Sequence, residues 1–247
     1  MSLSGRHIVV TGGGTGVGAA TAQALAAVGA TVTIMGRREA PLAEQGLPYQ
    51  LCDVTEAAAV ATAFDAARTV SGPIHGVIAN AGLAESVPFA KMTPDLLSRT
   101  LAVNLTGTAN VWQAALPDMK AAGWGRMVAI ASTAGLKGYP YVAAYCAAKH
   151  GVVGLTRALS LELARTGITV NAICPGFIET PMLDRSIANI IDKTGMTEEA
   201  ARASLTANNP QDRFIQTDEV AGAVLWLLSD AARSVNGHTL SISGGEA

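Results

Sequence analysis

HIVVTGGGTGVG, residues 7–18, runs from apolar, largely β-branched residues into a glycine-rich turn and on into the alanine-rich stretch 16–28. A strand followed by such a turn and a helix puts the turn at the strand's carboxyl end, where open α/β sheets bind their ligands. Glycine lets a backbone approach a pyrophosphate without interference from Cβ, and the following helix offers unpaired N–H groups to the anion. Gly12, Gly16 and Gly18 supply this in the spacing GxxxGxG, with Gly14, Thr15 and Val17 completing the loop. The better known GxGxxG fails, because the sixth position counted from Gly12 is Val17. Taken alone, the loop also reads as an ordinary strand-to-helix turn.

Further apolar runs follow: TVTIM at 31, YQLC at 49, HGVIA at 75, RMVAIA at 126, ITVNAIC at 168 and HTLSIS at 238. Between them lie Ala/Leu-rich segments with helical spacing at 16–28, 55–70, 94–121, 144–165 and 217–229. This alternation predicts a doubly wound α/β fold, a parallel sheet with helices on both faces. No linker divides the 247 residues, so one domain over 1–247 is expected. REAPLAEQGLPY, with two prolines and a glycine, leaves room only for a stub of helix between the second and third strands. Residues 181–209 are polar and poor in strand signal; they read as one or two short helices inserted before the last helix, a place where an insertion can act as a lid.

Composition narrows the ligand. Hydrophobic residues make up 49% and charged residues 15%, and the net charge is −2, which argues against nucleic acid or an anionic membrane as the main partner. No apolar run reaches membrane-spanning length, and MSLSGRHIVVTGGG lacks the order of a signal peptide, so a cytoplasmic protein is expected. Cys52, Cys146 and Cys174 are odd in number and form no CxxC, which fits reduced thiols, and the four histidines add no metal spacing.

The second strand ends in MGRRE. Gly36 stands where a carboxylate would take the ribose hydroxyls of NAD(H), and Arg37 and Arg38 follow, so a 2′-phosphate would meet charge-assisted donors. NADP(H) is therefore favoured and NAD(H) remains possible; the competing reading is a solvated strand end. YCAAKHG, residues 145–151, sets Tyr145 and Lys149 four apart, hence on one helical face. An unperturbed phenol titrates near 10, and a neighbouring ammonium is expected to lower that value and make Tyr145 a usable proton donor to a reduced carbonyl. Ser132, closing RMVAIAS, can hold the substrate oxygen. Tyr139 and Tyr141 compete for the role but have no lysine four residues later.

TGGGTGVG, CDV at 52–54, NAG at 80–82, Asn104, Ser132, Tyr145, Lys149 and PGFIET at 175–180 together resemble the short-chain dehydrogenase/reductase family, in order and over nearly the whole chain. The resemblance implies a Rossmann-type sheet of about seven parallel strands, a nicotinamide cofactor and a homotetramer packed through long helices. It also implies roles: Asp53 and Val54 at the adenine, Asn80, Ala81 and Gly82 at a ribose, and Pro175, Gly176, Ile178 and Thr180 at the nicotinamide and its phosphate. Asn104 would hold a kink and a water in a proton relay with Lys149, beside the catalytic Ser132 and Tyr145. Two departures stand out: Ala79 replaces the first Asn of the common NNAG, and the segment 39–48 is short.

Within the family, the stretches from IASTAGLKG to ICPGFIETPM resemble 3-oxoacyl-carrier-protein reductases, polyketide ketoreductases and 3-hydroxyacyl-CoA or 3-hydroxybutyrate dehydrogenases. This implies a small carbonyl or alcohol substrate, in some relatives linked to CoA or a carrier protein, with specificity carried by Gly138–Val142 and the 181–209 insertion. Lys120, Arg157 and Arg165 are either contacts for an acidic carrier or solvated helix charges. Two other functions stay open: an NAD-dependent dehydrogenase of a secondary alcohol or 3-hydroxy acid, and a non-catalytic nucleotide sensor. Hydrolase chemistry has no GxSxG to support it.

Overall fold

A computed structural model describes residues 3–247. The strands expected from the sequence form one parallel sheet: β1 (His7–Thr11), β2 (Thr31–Gly36), β3 (Tyr49–Leu51), β4 (Gly76–Ala79), β5 (Gly125–Ile130), β6 (Ile168–Pro175) and β7 (Thr239–Ile242), in the order β3-β2-β1-β4-β5-β6-β7. Val9 of β1 pairs with Thr33 of β2 on one side and with Val77 of β4 on the other. The chain changes direction across the sheet between β1 and β4, and that reversal opens a crevice above the carboxyl ends of these two strands.

Alternation along the central strands divides the core. Val9, Val77, Met127, Ala129 and Val170 point to one face, where α3 (Ala57–Ser71), α5 (Gly107–Ala122) and α6 (Ala143–Glu162) bring Phe64, Trp112 and Val152. Ile8, Val10, Ile78, Val128 and Ile173 point to the other, against α1 (Gly16–Ala27) and α9 (Thr217–Leu228) with Val17, Leu25, Val220 and Val224. Trp112 and Phe64 lie almost wholly out of water, each contributing on the order of 2 kcal/mol by burial.

The stub between β2 and β3 is the five-residue α2 (Glu39–Ala43), pinned to the sheet by the buried Leu42. The expected single helix over 94–121 differs in detail. It is α4 (Pro94–Leu101) and α5 separated by a π turn over Ala102–Thr106, because the Asn104 Nδ2 donates to the Thr100 carbonyl at 2.9 Å and competes with the helical ladder. The insertion forms two helices, α7 (Pro181–Thr194), which is longer than expected, and α8 (Glu198–Thr206). Both start at threonine caps, and Leu183, Ile187, Ala201 and Phe214 give the insertion a small core of its own.

Candidate active site

The glycine loop is fixed from β4. The Thr11 hydroxyl, at the end of β1, accepts from the N–H groups of Asn80 and Ala81 at 3.0 and 3.1 Å, while Asn80 Nδ2 donates to the Thr11 carbonyl at 2.9 Å. Thr11 was not among the residues singled out in the sequence, although a hydroxyl at the buried end of a central strand needs a partner and so carried a signal. Gly12 and Gly16 adopt φ of +64° and +55°, which only glycine takes readily. A Cβ on Gly12 would lie 2.9 Å from Asn80 Nδ2, and one on Gly16 would lie 3.2 Å from Thr180 Cγ2. Thr15 precedes α1 without a side-chain cap, leaving the helix N–H groups to an anion. Val17 turns its side chain into the core, so only its backbone faces the loop.

Gly12, Gly14, Thr15, Gly36, Arg37, Arg38, Pro41 and Leu42 line a cavity of about 90 Å³ above this loop. The short α2 closes against it: Gln45 Nε2 donates to the Gly14 carbonyl at 3.1 Å. Arg37 is mostly exposed and stands 3.7 Å from Asp53 Oδ2. Asp53 is held below the usual carboxylate range, first by the Thr55 N–H and also by the Thr55 hydroxyl and Arg37. Val54 is buried, its side chain against Gly107 and its carbonyl accepting from Asn110. Arg38 is exposed at the start of α2. A glycine cradle with no room for Cβ atoms and an uncapped helix start fit the phosphates of a dinucleotide.

The second half of the site converges on the ends of β4 and β5. Ser132 stands beside Tyr145, where its hydroxyl favours the ionised phenol, and that hydroxyl accepts from Ala134 N at 3.1 Å, which fixes its direction. Lys149 is buried one helical turn past Tyr145, its Nζ 5.5 Å from the Tyr145 ring centre and donating to the Ile130 carbonyl at 2.8 Å. Asn104 Oδ1 accepts from Leu83 N and its Nδ2 donates to the Leu83 carbonyl. A Cβ on Gly82 would lie 2.9 Å from Asn104 Oδ1 and 3.9 Å from Lys149 Nζ, so the three groups meet at one point. Pro175 ends β6 alongside and Gly176 follows it, and Ile178 and Thr180 lie in a segment tied to Ile215 by Glu179 N, which donates to the Ile215 carbonyl, and by Ile215 N, which donates to the Phe177 carbonyl. Cys174 is buried nearby, its thiol pushed up to about 11 by burial.

The expected lowering of the phenol by the lysine is corrected by this geometry. Burial pushes Tyr145 up to about 12, with the Ser132 hydroxyl opposing it, and burial pushes Lys149 down to about 8. Desolvation outweighs the attraction because the ammonium is directed at the Ile130 carbonyl and faces the ring, 5.5 Å from its centre. Tyr145 is therefore protonated, and Lys149 cationic, at neutral pH. A phenol held in its acid form suits proton donation to a developing alkoxide, which is the stronger base even at that value.

Tyr139 and Tyr141, the competing phenols, lie elsewhere. Tyr139 bonds to Glu246 and Thr133, while Tyr141 is exposed at a left-handed φ of 67° with its carbonyl accepting from Val87 N.

A family model described as enoyl-(acyl carrier protein) reductase matches residues 12–246. The chain is 35% identical to D-beta-hydroxybutyrate dehydrogenase of Cupriavidus necator, covering 98% of both chains. It is 38% identical to the granaticin polyketide synthase putative ketoacyl reductase 1 of Streptomyces violaceoruber, over 96% of this chain and 91% of the relative. Among solved structures, a Phe-to-Trp variant of actinorhodin polyketide ketoreductase with NADPH superimposes with a TM-score of 0.94 at 36% identity, over 100% of this chain and 99% of that one.

Proposed function

Because the chain belongs to the short-chain dehydrogenase/reductase family, whose members here act on keto and hydroxyl groups with a nicotinamide cofactor, we propose that it is an NADPH-dependent reductase of a 3-oxoacyl thioester or related ketone. The observation that carries this reading is the grouping of Ser132, Tyr145 and Lys149, with the lysine buried and its Nζ 5.5 Å from the Tyr145 ring centre. Two neighbouring hydroxyls suit a single carbonyl oxygen: Ser132 orients it and Tyr145 gives up its proton as negative charge develops. Reduction of an enoyl double bond, which the description of the family model names, makes less use of such a pair. Lys149 keeps a positive charge beside the phenol and favours the phenolate left behind.

The cofactor supplies the hydride when bound. Gly12 to Val17 and the start of α1 would hold its phosphates, Asn80, Ala81 and Gly82 a ribose, Asp53 and Val54 the adenine, and Pro175 to Thr180 the nicotinamide side. Asn104, in the π turn beside Lys149, would hold a water in a proton relay with it. Residues 1–247 are read as one catalytic domain and 181–209 as a lid over the substrate. The same reading includes a homotetramer in the cytoplasm and a small carbonyl substrate that is free or linked to CoA or a carrier protein. No helix among the described residues is long and apolar enough to cross a membrane.

The relative named D-beta-hydroxybutyrate dehydrogenase favours a second reading, NAD-dependent oxidation of a 3-hydroxy acid. Gly36 in place of a ribose-binding carboxylate stands against it. Assays of acetoacetyl-CoA, a cyclic diketone and simple ketones with each cofactor separate the two, and Arg37→Ala sharpens the result. Losing a charge-assisted bond to the 2′-phosphate is expected to weaken NADPH on the order of 30-fold while NADH changes by about threefold or less. Equal losses would mean that Arg37 is only a solvated strand end paired with Asp53.

A further inference from the structure

The chain after β7 returns to the catalytic edge of the sheet and buries a carboxylate there. The Glu246 side chain is 2% exposed, with Oε1 2.5 Å from the Tyr139 hydroxyl and 3.1 Å from Lys137 Nζ. Tyr139 Oη is also 2.7 Å from Thr133 Oγ1. A carboxylate can only accept, so the phenol donates its one proton to Glu246 and accepts from Thr133, the neighbour of Ser132. The Tyr139 ring meets Phe177 edge to face at 6.3 Å between centres, and a Cβ on Gly176 would lie 3.3 Å from Glu246 Oε2. One carboxylate thus fixes the loop that carries Ser132 and packs close to Gly176 in the loop that follows Pro175. Across Ser132–Val142 and Pro175–Thr180 the sequence contains a single cation, Lys137, and Glu246 neutralises it.

Resting on the carbonyl-reductase reading above, we propose that Glu246 is a specificity-determining residue. By occupying Lys137 and fixing Tyr139, it leaves the two loops Ser132–Val142 and Pro175–Thr180 without a free cation to meet a substrate carboxylate, so neutral ketones, esters and thioesters are accepted and free 3-oxo carboxylates are rejected. Burial and the Glu246 carboxylate hold the Tyr139 phenol well above its usual range, so Tyr139 adds no charge of its own across the neutral range.

Glu246→Gln keeps an acceptor for Tyr139 and releases the charge of Lys137. With NADPH, kcat/KM is measured for acetoacetate and for its methyl ester. The ratio of acid to ester is expected to rise about tenfold, through KM for the acid, as a freed ammonium meets the substrate carboxylate. NADPH affinity, read by fluorescence, stays the same, and adding Lys137→Gln abolishes the gain. An unchanged ratio, or a parallel loss on both substrates, would overturn the proposal by reducing Glu246 to a structural strut. A wild-type protein that binds NADPH but reduces neither compound would overturn the reductase reading, and this inference with it.

Discussion

Tyr145→Phe is expected to lower kcat for ketone reduction by about 10³-fold, the scale of a lost general acid, while leaving the dissociation constant for NADPH within about twofold. The change removes one oxygen and keeps the ring, so the packing on Lys149 and the course of α6 persist. What disappears is the proton that an alkoxide must acquire. Ser132 cannot replace it, since its hydroxyl oxygen is tied to Ala134 N and an aliphatic hydroxyl is a far weaker acid than a phenol. Tyr139 cannot replace it either, because its proton is directed at Glu246. Single-turnover absorbance of NADPH separates the chemical step from product release. A variant retaining more than about a tenth of the rate would remove Tyr145 from the role of acid.

Gly18→Ala is expected to be the most damaging small change in the cofactor loop. The added methyl would lie 2.5 Å from Asn80 Nδ2 and 2.8 Å from the Gly12 carbonyl carbon, and well inside contact distance of the Gly12 oxygen. Backbone stands on one side, and on the other an amide that already donates to Thr11 at 2.9 Å and to Gly12 at 3.3 Å, so neither can retreat without breaking the tie between β1 and β4. Overpacking and the loss of a buried hydrogen bond cost about 3 kcal/mol together, more than the gain of about 1 kcal/mol from alanine in a helix. Urea unfolding should show this loss, and NADPH titration a weakening of about 100-fold, equivalent to roughly 2.7 kcal/mol. Unaltered stability and affinity would mean that the loop relaxes freely and that its glycines do not define the cradle.

The strands were legible because each is a compact apolar run with β-branched residues, and a parallel sheet buried on both faces needs just that. Pro41 and Pro48 announced the short α2. The π turn was not readable from periodicity, since 94–121 keeps helical spacing throughout; the break comes from a tertiary arrangement in which Asn104 reaches both Thr100 and Leu83. Tyr145 and Lys149 were legible as a pair on one face, yet the sign of the phenol's shift was not. It depends on burial and on the Ile130 carbonyl taking the ammonium, neither of which is encoded in a spacing of four. Glu246 escaped for the same reason: Lys137 and Tyr139 lie more than a hundred residues before it, and only the return of the chain after β7 brings them together.

The measurement that bears most directly on the central claim is a crystal structure of the protein with NADP⁺ and a slowly reacting ketone. Tyr145 Oη and Ser132 Oγ should both stand within about 3 Å of the carbonyl oxygen, with the nicotinamide on the opposite side of the carbonyl carbon. A ketone oxygen bound away from Tyr145, or a phenol turned from the nicotinamide and separated from Ser132, would contradict the account.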